Sequence, residues 1–220
     1  MTEQKPKQQL IDARGLCLRR GGRVVIDNCS LRLGAGITVL RGANGSGKST
    51  LLRALAGILH RASGSVAIAG HDLDHEPVAA RRNLGYVPET PDLFPYLSPR
   101  ELLCVIADLR GGSVDEALSV MDALGLEGRE DQRIATLSLG QRRKVTIAAA
   151  ACGAPRVMLF DEPFSGLDSA ALGIFCELLC EWREQGRALL IATHDRTPLG
   201  GVEDGILLVK QGTVYAASQE

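Results

Sequence analysis

The 220-residue sequence predicts an α/β fold built on a mostly parallel sheet. Three observations lead there. Short apolar runs at residues 37–40, 157–160 and 188–192 have the composition of strands buried on both faces. Segments with helically spaced apolar residues alternate with these runs. A long stretch, about residues 86–153, carries helix signals and no strand-like run, so it reads as a helical insertion into the core.

Taken in order, Val24, Val25 and Ile26, then Leu31, Arg32 and Leu33, read as two short strands around turn residues. Residues 37–40 form a compact strand, and a glycine-rich loop follows at once. Residues 50–59 place Leu51, Leu52, Leu55, Ile58 and Leu59 at helical spacing. Residues 65–69 are a strand ending at Gly70. Ser98 and Glu101 form a capping box with Pro99 at the first helical position, which predicts a helix to about Leu109. Ser113 and Glu116 read as a second capping box, for a helix ending at Leu124 and Gly125. A third helix follows Ser138. Strand 157–160, helix 169–185 closed by Gly186 and strand 188–192 restore the alternation. Residues 206–209 and 213–216 form a hairpin around Gln211 and Gly212.

Composition narrows the function. Hydrophobic residues make up 45% and charged residues 23%, the balance of a globular domain with a substantial core. Twenty-five basic against 26 acidic side chains leave a net charge of -1, so no nucleic-acid partner is expected. None of the six cysteines forms a C-x-x-C pair, and Cys176 and Cys180 lack a second ligand pair. Buried, reduced thiols are expected, in keeping with a reducing compartment. Met1 to Gln9 is polar, so no signal peptide is expected. No run of 18 apolar residues occurs, so any membrane role is expected to come through a partner.

Gly42, Ala43, Asn44, Gly45, Ser46, Gly47, Lys48 and Ser49 match G-x-x-x-x-G-K-[ST] at every fixed position, between a predicted strand and a predicted helix that opens near Thr50. Glycines let successive N–H groups turn toward one point, and the helix N-terminus adds partial positive charge there. Lys48 can reach β- and γ-phosphates, and the Ser49 hydroxyl can ligate Mg²⁺. The motif in this setting predicts a P-loop NTPase core. The strand at 157–160 ends in Asp161 and Glu162, at the edge of a parallel sheet where ligands bind. Asp161 is placed to hold Mg²⁺, and Glu162 to polarise an attacking water.

Further motifs follow in a fixed order. Leu137, Ser138, Leu139, Gly140 and Gln141 resemble the signature sequence of ABC ATPases, shortly before the Asp161–Glu162 strand. Ser165, Gly166, Leu167 and Asp168 resemble that family's D-loop, His194 its switch histidine, and Glu89 stands where its Q-loop belongs. From about residue 10 to 216 the chain is thus similar to the nucleotide-binding domain of ABC transporters, most of all ABC-2 type exporters. The resemblance implies a single domain over residues 1–220, with a core at about 10–85 and 154–218 and a helical subdomain at about 86–153. It also implies an N-terminal antiparallel β subdomain. It implies ATP hydrolysis with Mg²⁺ in a head-to-tail dimer with a second copy or a homologous subunit. Glu162 and His194 would be catalytic, and Ser49, Glu89 and Asp161 would hold the metal. Ser138, Gly140, Gln141 and Asp168 would contact the partner's ATP.

Three positions depart from that pattern. Glu89 replaces glutamine, and Leu139 replaces the first signature glycine, so its side chain is expected to point away from the phosphate. Arg20 stands in place of the aromatic that stacks on adenine; a guanidinium can stack there, and the alternative is a solvated loop residue. Arg142, Arg143 and Lys144 read as a solvated face without a site role. The segment from Pro91 to Leu97 is expected to dock an integral membrane transporter subunit near Phe94 and Tyr96, with Leu93 and Leu97 adding apolar area. The resemblance then implies a peripheral location on the cytoplasmic face of the cell (inner) membrane. The leading expectation is an export ATPase. A haem-export ATPase of cytochrome c maturation and a soluble, non-transport ABC ATPase are the alternatives, with a small-molecule kinase well behind.

Overall fold

The computed structural model describes residues 8–194 and 198–217; the outermost residues of the expected domain, 1–7 and 218–220, lie outside it. Two sheets share the work. The first is antiparallel, in the order β2-β1-β4-β5, with β1 Ile11–Arg20, β2 Arg23–Leu33, β4 Ser63–Ile68 and β5 His71–Asp72. The second is in the order β10-β9-β3-β8-β7-β6. Its strands β3 Gly36–Arg41, β6 Leu84–Val87, β7 Val157–Asp161, β8 Ala188–Thr193 and β9 Gly205–Lys210 run parallel, and β10 Thr213–Ala216 closes an antiparallel hairpin on the edge. The α/β class, the antiparallel β unit and the mostly parallel core are as expected.

Alternation along the parallel strands divides the core in two. Ile37, Val39, Met158, Phe160, Leu189 and Ile191 face one cluster, shared with helices α5 Leu139–Ala151 and α6 Ser169–Glu184. Leu40, Val157, Leu159, Leu190 and Ala192 face the other, shared with α1 Lys48–Leu55 and the antiparallel sheet. Every residue of β7 and β8 is buried, because both faces of the sheet are covered.

Several expectations need correction. The two strands expected at 24–26 and 31–33 are one strand, β2, paired with β1 along its length. Asn28, at φ 46°, sits at an irregularity that breaks the period-two pattern without ending the ladder. Helix α1 stops at Leu55 rather than Leu59, because Gly57 turns left-handed at φ 68°; Ile58 then lies exposed. Residues 86 and 87 belong to strand β6, so the helical block begins after it. That block holds α3 Pro99–Arg110, α4 Asp115–Ala123, a 3₁₀ turn at Ile134–Thr136 and α5. A short helix, α2 Pro77–Arg82, precedes β6 and was not foreseen.

The Ser98 capping box forms reciprocally, but the one at Ser113 does not. Ser113 Oγ accepts from Asp115 N at 3.1 Å, while Glu116 turns into the core interface. There it accepts from Trp182 Nε1 at 2.9 Å and pairs with Arg187 at 2.7 Å. All six cysteines are free thiols, but against expectation only Cys29 and Cys152 are buried; Cys17, Cys176 and Cys180 are half-buried and Cys104 is exposed. Among the described residues, no helix is long and apolar enough to cross a membrane.

Candidate functional site

The carboxyl ends of three adjacent strands lie level. Leu40 pairs with Ala192 across β3 and β8, and Asp161 pairs with the same Ala192 across β7 and β8. This register brings two distant motifs to one rim of the sheet, where ligands of such sheets bind. The loop after β3 opens directly into α1 through Gly47, at φ 111°. A side chain there would meet Val25 and Ile26 at 3.0 Å, so both the turn and the close packing call for glycine. The first N–H groups of α1 therefore face the loop concavity, with the favourable end of the helix dipole.

Lys48 is buried, and its ammonium donates to the carbonyls of Gly42 at 2.7 Å and Ala43 at 3.3 Å. Ser49 Oγ donates to Asp161 Oδ1 at 3.0 Å. Asp161 is fully buried, and its other oxygen, like Ser46 Oγ, has no partner among the described residues. Burial pushes the Asp161 carboxyl above its ordinary pKa against the Ser49 bond, and the charges of Glu89 and Glu162 add to the rise. A buried acceptor with an open valence beside a hydroxyl is a donor set suited to a hard divalent cation such as Mg²⁺.

Glu162 stands next in the chain with φ 47°, unusual for a residue other than glycine. Its N–H donates to the Ala192 carbonyl at 2.9 Å, and its carboxylate Oε1 lies 2.9 Å from His194 Nδ1 and 4.0 Å from Lys48 Nζ. A cleft of about 290 Å³ is lined by Arg20, Val25, Asn44, Gly45, Gly47, Lys48, Ser49, Thr50, Glu89 and Glu162. Of the expected nucleotide and metal residues, then, the loop, Arg20, Glu89, Asp161, Glu162 and His194 converge on one place. The cleft can hold a polyphosphate, with a cation beside Asp161 and a water beside Glu162.

Ser138, Gly140, Gln141 and Asp168 do not line this cleft. They form a second surface of their own. Ser138 caps α5 by accepting from Gln141 N at 3.2 Å, and the Gln141 side chain returns to Ser138 N at 2.9 Å. Leu139 is 62% exposed at the first position of that helix. Gly140 lies so near the D-loop that a Cβ there would stand 3.2 Å from the Gly166 carbonyl. Asp168 caps α6 by accepting from Ala171 N at 2.9 Å and pairs with Lys144 at 3.0 Å. The cap and the lysine together hold its pKa below the ordinary value.

The reading of residues 142–144 as a solvated face fails. Arg143 is 2% exposed and bonds to the main chain around Glu89 and Glu162. No local signal separates the three: residues 145–151 are buried throughout, yet Arg142 and Lys144 stand at the same helix start and are only half-buried. Leu93 and Leu97 are half-buried, each packed in part on the helical core. Phe94 and Tyr96 are 65% and 84% exposed.

Comparison with known proteins agrees with this geometry. The family model described as ABC transporter matches residues 26–165. The chain is 33% identical over 212 residues to an uncharacterized ABC transporter ATP-binding protein, YdbJ of Bacillus subtilis (strain 168), covering 95% of this chain and 69% of that protein. It is 32% identical over 202 residues to the cytochrome c biogenesis ATP-binding export protein CcmA of Pseudomonas syringae pv. syringae (strain B728a), covering 89% and 94% respectively. A solved ATP-binding subunit of an ABC transporter shares the fold at a TM-score of 0.87 and 28% identity, covering 95% of this chain and 90% of that one. The chain belongs to the ABC transporter family, among its ATP-binding subunits.

Proposed function

We propose that this chain hydrolyses ATP in a head-to-tail dimer and so drives export through separate membrane subunits. The observation that carries the reading is a division of labour. The cleft holds Lys48, Ser49 and Glu162, whereas Ser138 and Gly140 lie outside it at an uncovered helix N-terminus. A second copy turned head to tail brings that N-terminus to the cleft, and its unbonded N–H groups then face the γ-phosphate. Asp168 borders the same surface.

Residues 42–50 wrap the phosphates, with Lys48 moving from its carbonyl partners onto the β- and γ-phosphate oxygens. Ser49, Asp161 and Glu89 would hold Mg²⁺, which would supply charge neutralisation beside the phosphates. The open Asp161 Oδ2 supports that assignment. Glu162 orients and polarises water, and His194 fixes its carboxylate through the 2.9 Å contact. Arg20 covers the base side of the cleft.

The membrane subunit docks by a cytoplasmic helix at Phe94 and Tyr96. An apolar groove of about 440 Å³, lined by Ile58, Val78, Ile106 and Leu109 together with Arg81 and Arg82, offers further area for docking. Its floor includes Leu84 and Tyr86, on the strand that leads into Glu89, so docking and the metal side of the cleft share one stretch of chain. The protein accordingly works at the cytoplasmic face of the cell membrane. Export tied to cytochrome c biogenesis is a second reading, supported by the match to nearly the whole of CcmA.

The direct test is Glu162→Gln. Turnover falls about 10²–10⁴-fold while ATP binding persists, and ATP-bound dimer accumulates. A variant that hydrolyses at the wild-type rate would exclude the assignment.

A further inference from the structure

Arg143 has no part in the reaction described so far, yet its guanidinium ties together the backbone of the whole hydrolytic half-site. It lies on α5, five residues past Ser138, or about 7.5 Å along the helix. From there it reaches the ends of two neighbouring strands. Nη1 donates to the carbonyls of Pro88 and, at 3.1 Å, Glu89; Nη2 donates to the carbonyls of Asp161, at 3.1 Å, and Glu162. All four acceptors are main-chain oxygens.

Two features make this more than a packing contact. The Glu162 peptide is strained at φ 47° and is held on one side by Ala192 and on the other by Arg143. Without the second tie the backbone is free to relax, carrying the carboxylate off His194. A planar guanidinium also spans two strand ends with two parallel donor pairs, which a lysine ammonium cannot do from a single nitrogen.

Resting on the hydrolysis reading above, we infer that Arg143 is a positioning residue that couples the two halves of the composite site. The helix whose N-terminus serves the partner's nucleotide is bonded through this side chain to the backbone that sets Glu89, Asp161 and Glu162 against its own. Engagement of Ser138 in trans moves α5, and the guanidinium passes that movement to Glu162. ATP binding in cis rests mainly on residues 42–50, which Arg143 does not touch, so most of the affinity is expected to survive loss of this tie.

The test uses the full chain with Mg²⁺ and ATP, comparing wild type, Arg143→Lys and Arg143→Met by nucleotide affinity, kcat and thermal unfolding. Dimer trapping is followed in the Glu162→Gln background. Arg143→Lys is expected to bind ATP within about three-fold of wild type and to lose about 10–100-fold in kcat, the cost of displacing a reacting group by ~1 Å. ATP still traps the Glu162→Gln, Arg143→Lys dimer. Three results would overturn the role: turnover within three-fold of wild type, parallel loss of affinity and kcat, or failure of both variants to fold. An inactive wild type would instead sink the hydrolysis reading and this role with it, whereas an active wild type beside an unaffected Arg143→Lys sinks only the role.

Discussion

Arg20 and Arg143 show how differently a single arginine can be read. For Arg20 the family resemblance implies a place beside the base, and the structure lines the cleft with it. Its exposed guanidinium is free to lie flat on a purine, a contact worth about 0.5–2 kcal/mol. Arg20→Ala is therefore expected to weaken ATP and GTP alike by about 5–10-fold, with kcat unchanged. Equilibrium titration with both nucleotides checks it, and equal affinities in variant and wild type would return Arg20 to the solvated loop. Arg143 was not legible, because three consecutive basic residues look alike in one dimension. Which of them turns inward depends on the neighbour α5 packs against. Gly85 on β6 is that neighbour: a Cβ there would strike the Ala150 carbonyl of α5. The close approach brings Arg143 over the strand ends.

Helix starts were read well where the signal was self-contained. Ser98 with Glu101, and Ser138 with Gln141, close their boxes within one turn, so four residues suffice to specify them. Ser113 with Glu116 carries the same spacing and fails, because Glu116 finds a buried indole N–H and a guanidinium in another part of the fold. Those partners lie far along the chain and leave no local mark. The segment before α3 shows a related division. Pro95 and Leu97 give their carbonyls to Ala135 and Ile134, which pins the segment to the turn before the signature helix and leaves Phe94 and Tyr96 outward. A docked helix would thus press on an element tied to Ser138. Phe94→Ala with Tyr96→Ala is expected to keep basal ATP turnover within about two-fold while reducing copurification with the membrane subunit at least ten-fold, since exposed aromatics act as interface anchors. Retained assembly with full coupling would exclude this docking face.

At the scale of the molecule, the proposed dimer divides each reaction centre between two chains. On that reading the cleft with Lys48, Ser49 and Glu162 belongs to one chain, and the capped helix start at Ser138 with Asp168 serves a neighbour. Turnover per chain should therefore fall on dilution below the dimerisation constant, approaching first order in protein concentration at the dilute limit. A steady-state series over several decades of protein concentration measures this; specific activity independent of concentration down to a demonstrated monomer would refute the composite site.

The phosphate loop could be derived from residues 42–50 alone, because a strand, a glycine turn and a helix N-terminus are local structures whose donors lie within a few residues of one another. The apolar periodicity likewise determined the α/β class. Strand order did not follow from the chain: β8 lies between β3 and β7, and that placement alone carries Ser49 to Asp161 across 112 positions and His194 to Glu162 across 32. Non-local packing of two buried faces chose the order. The Arg143 array and the fate of Glu116 came with it, since each depends on which distant backbone or side chain the sheet brings within reach.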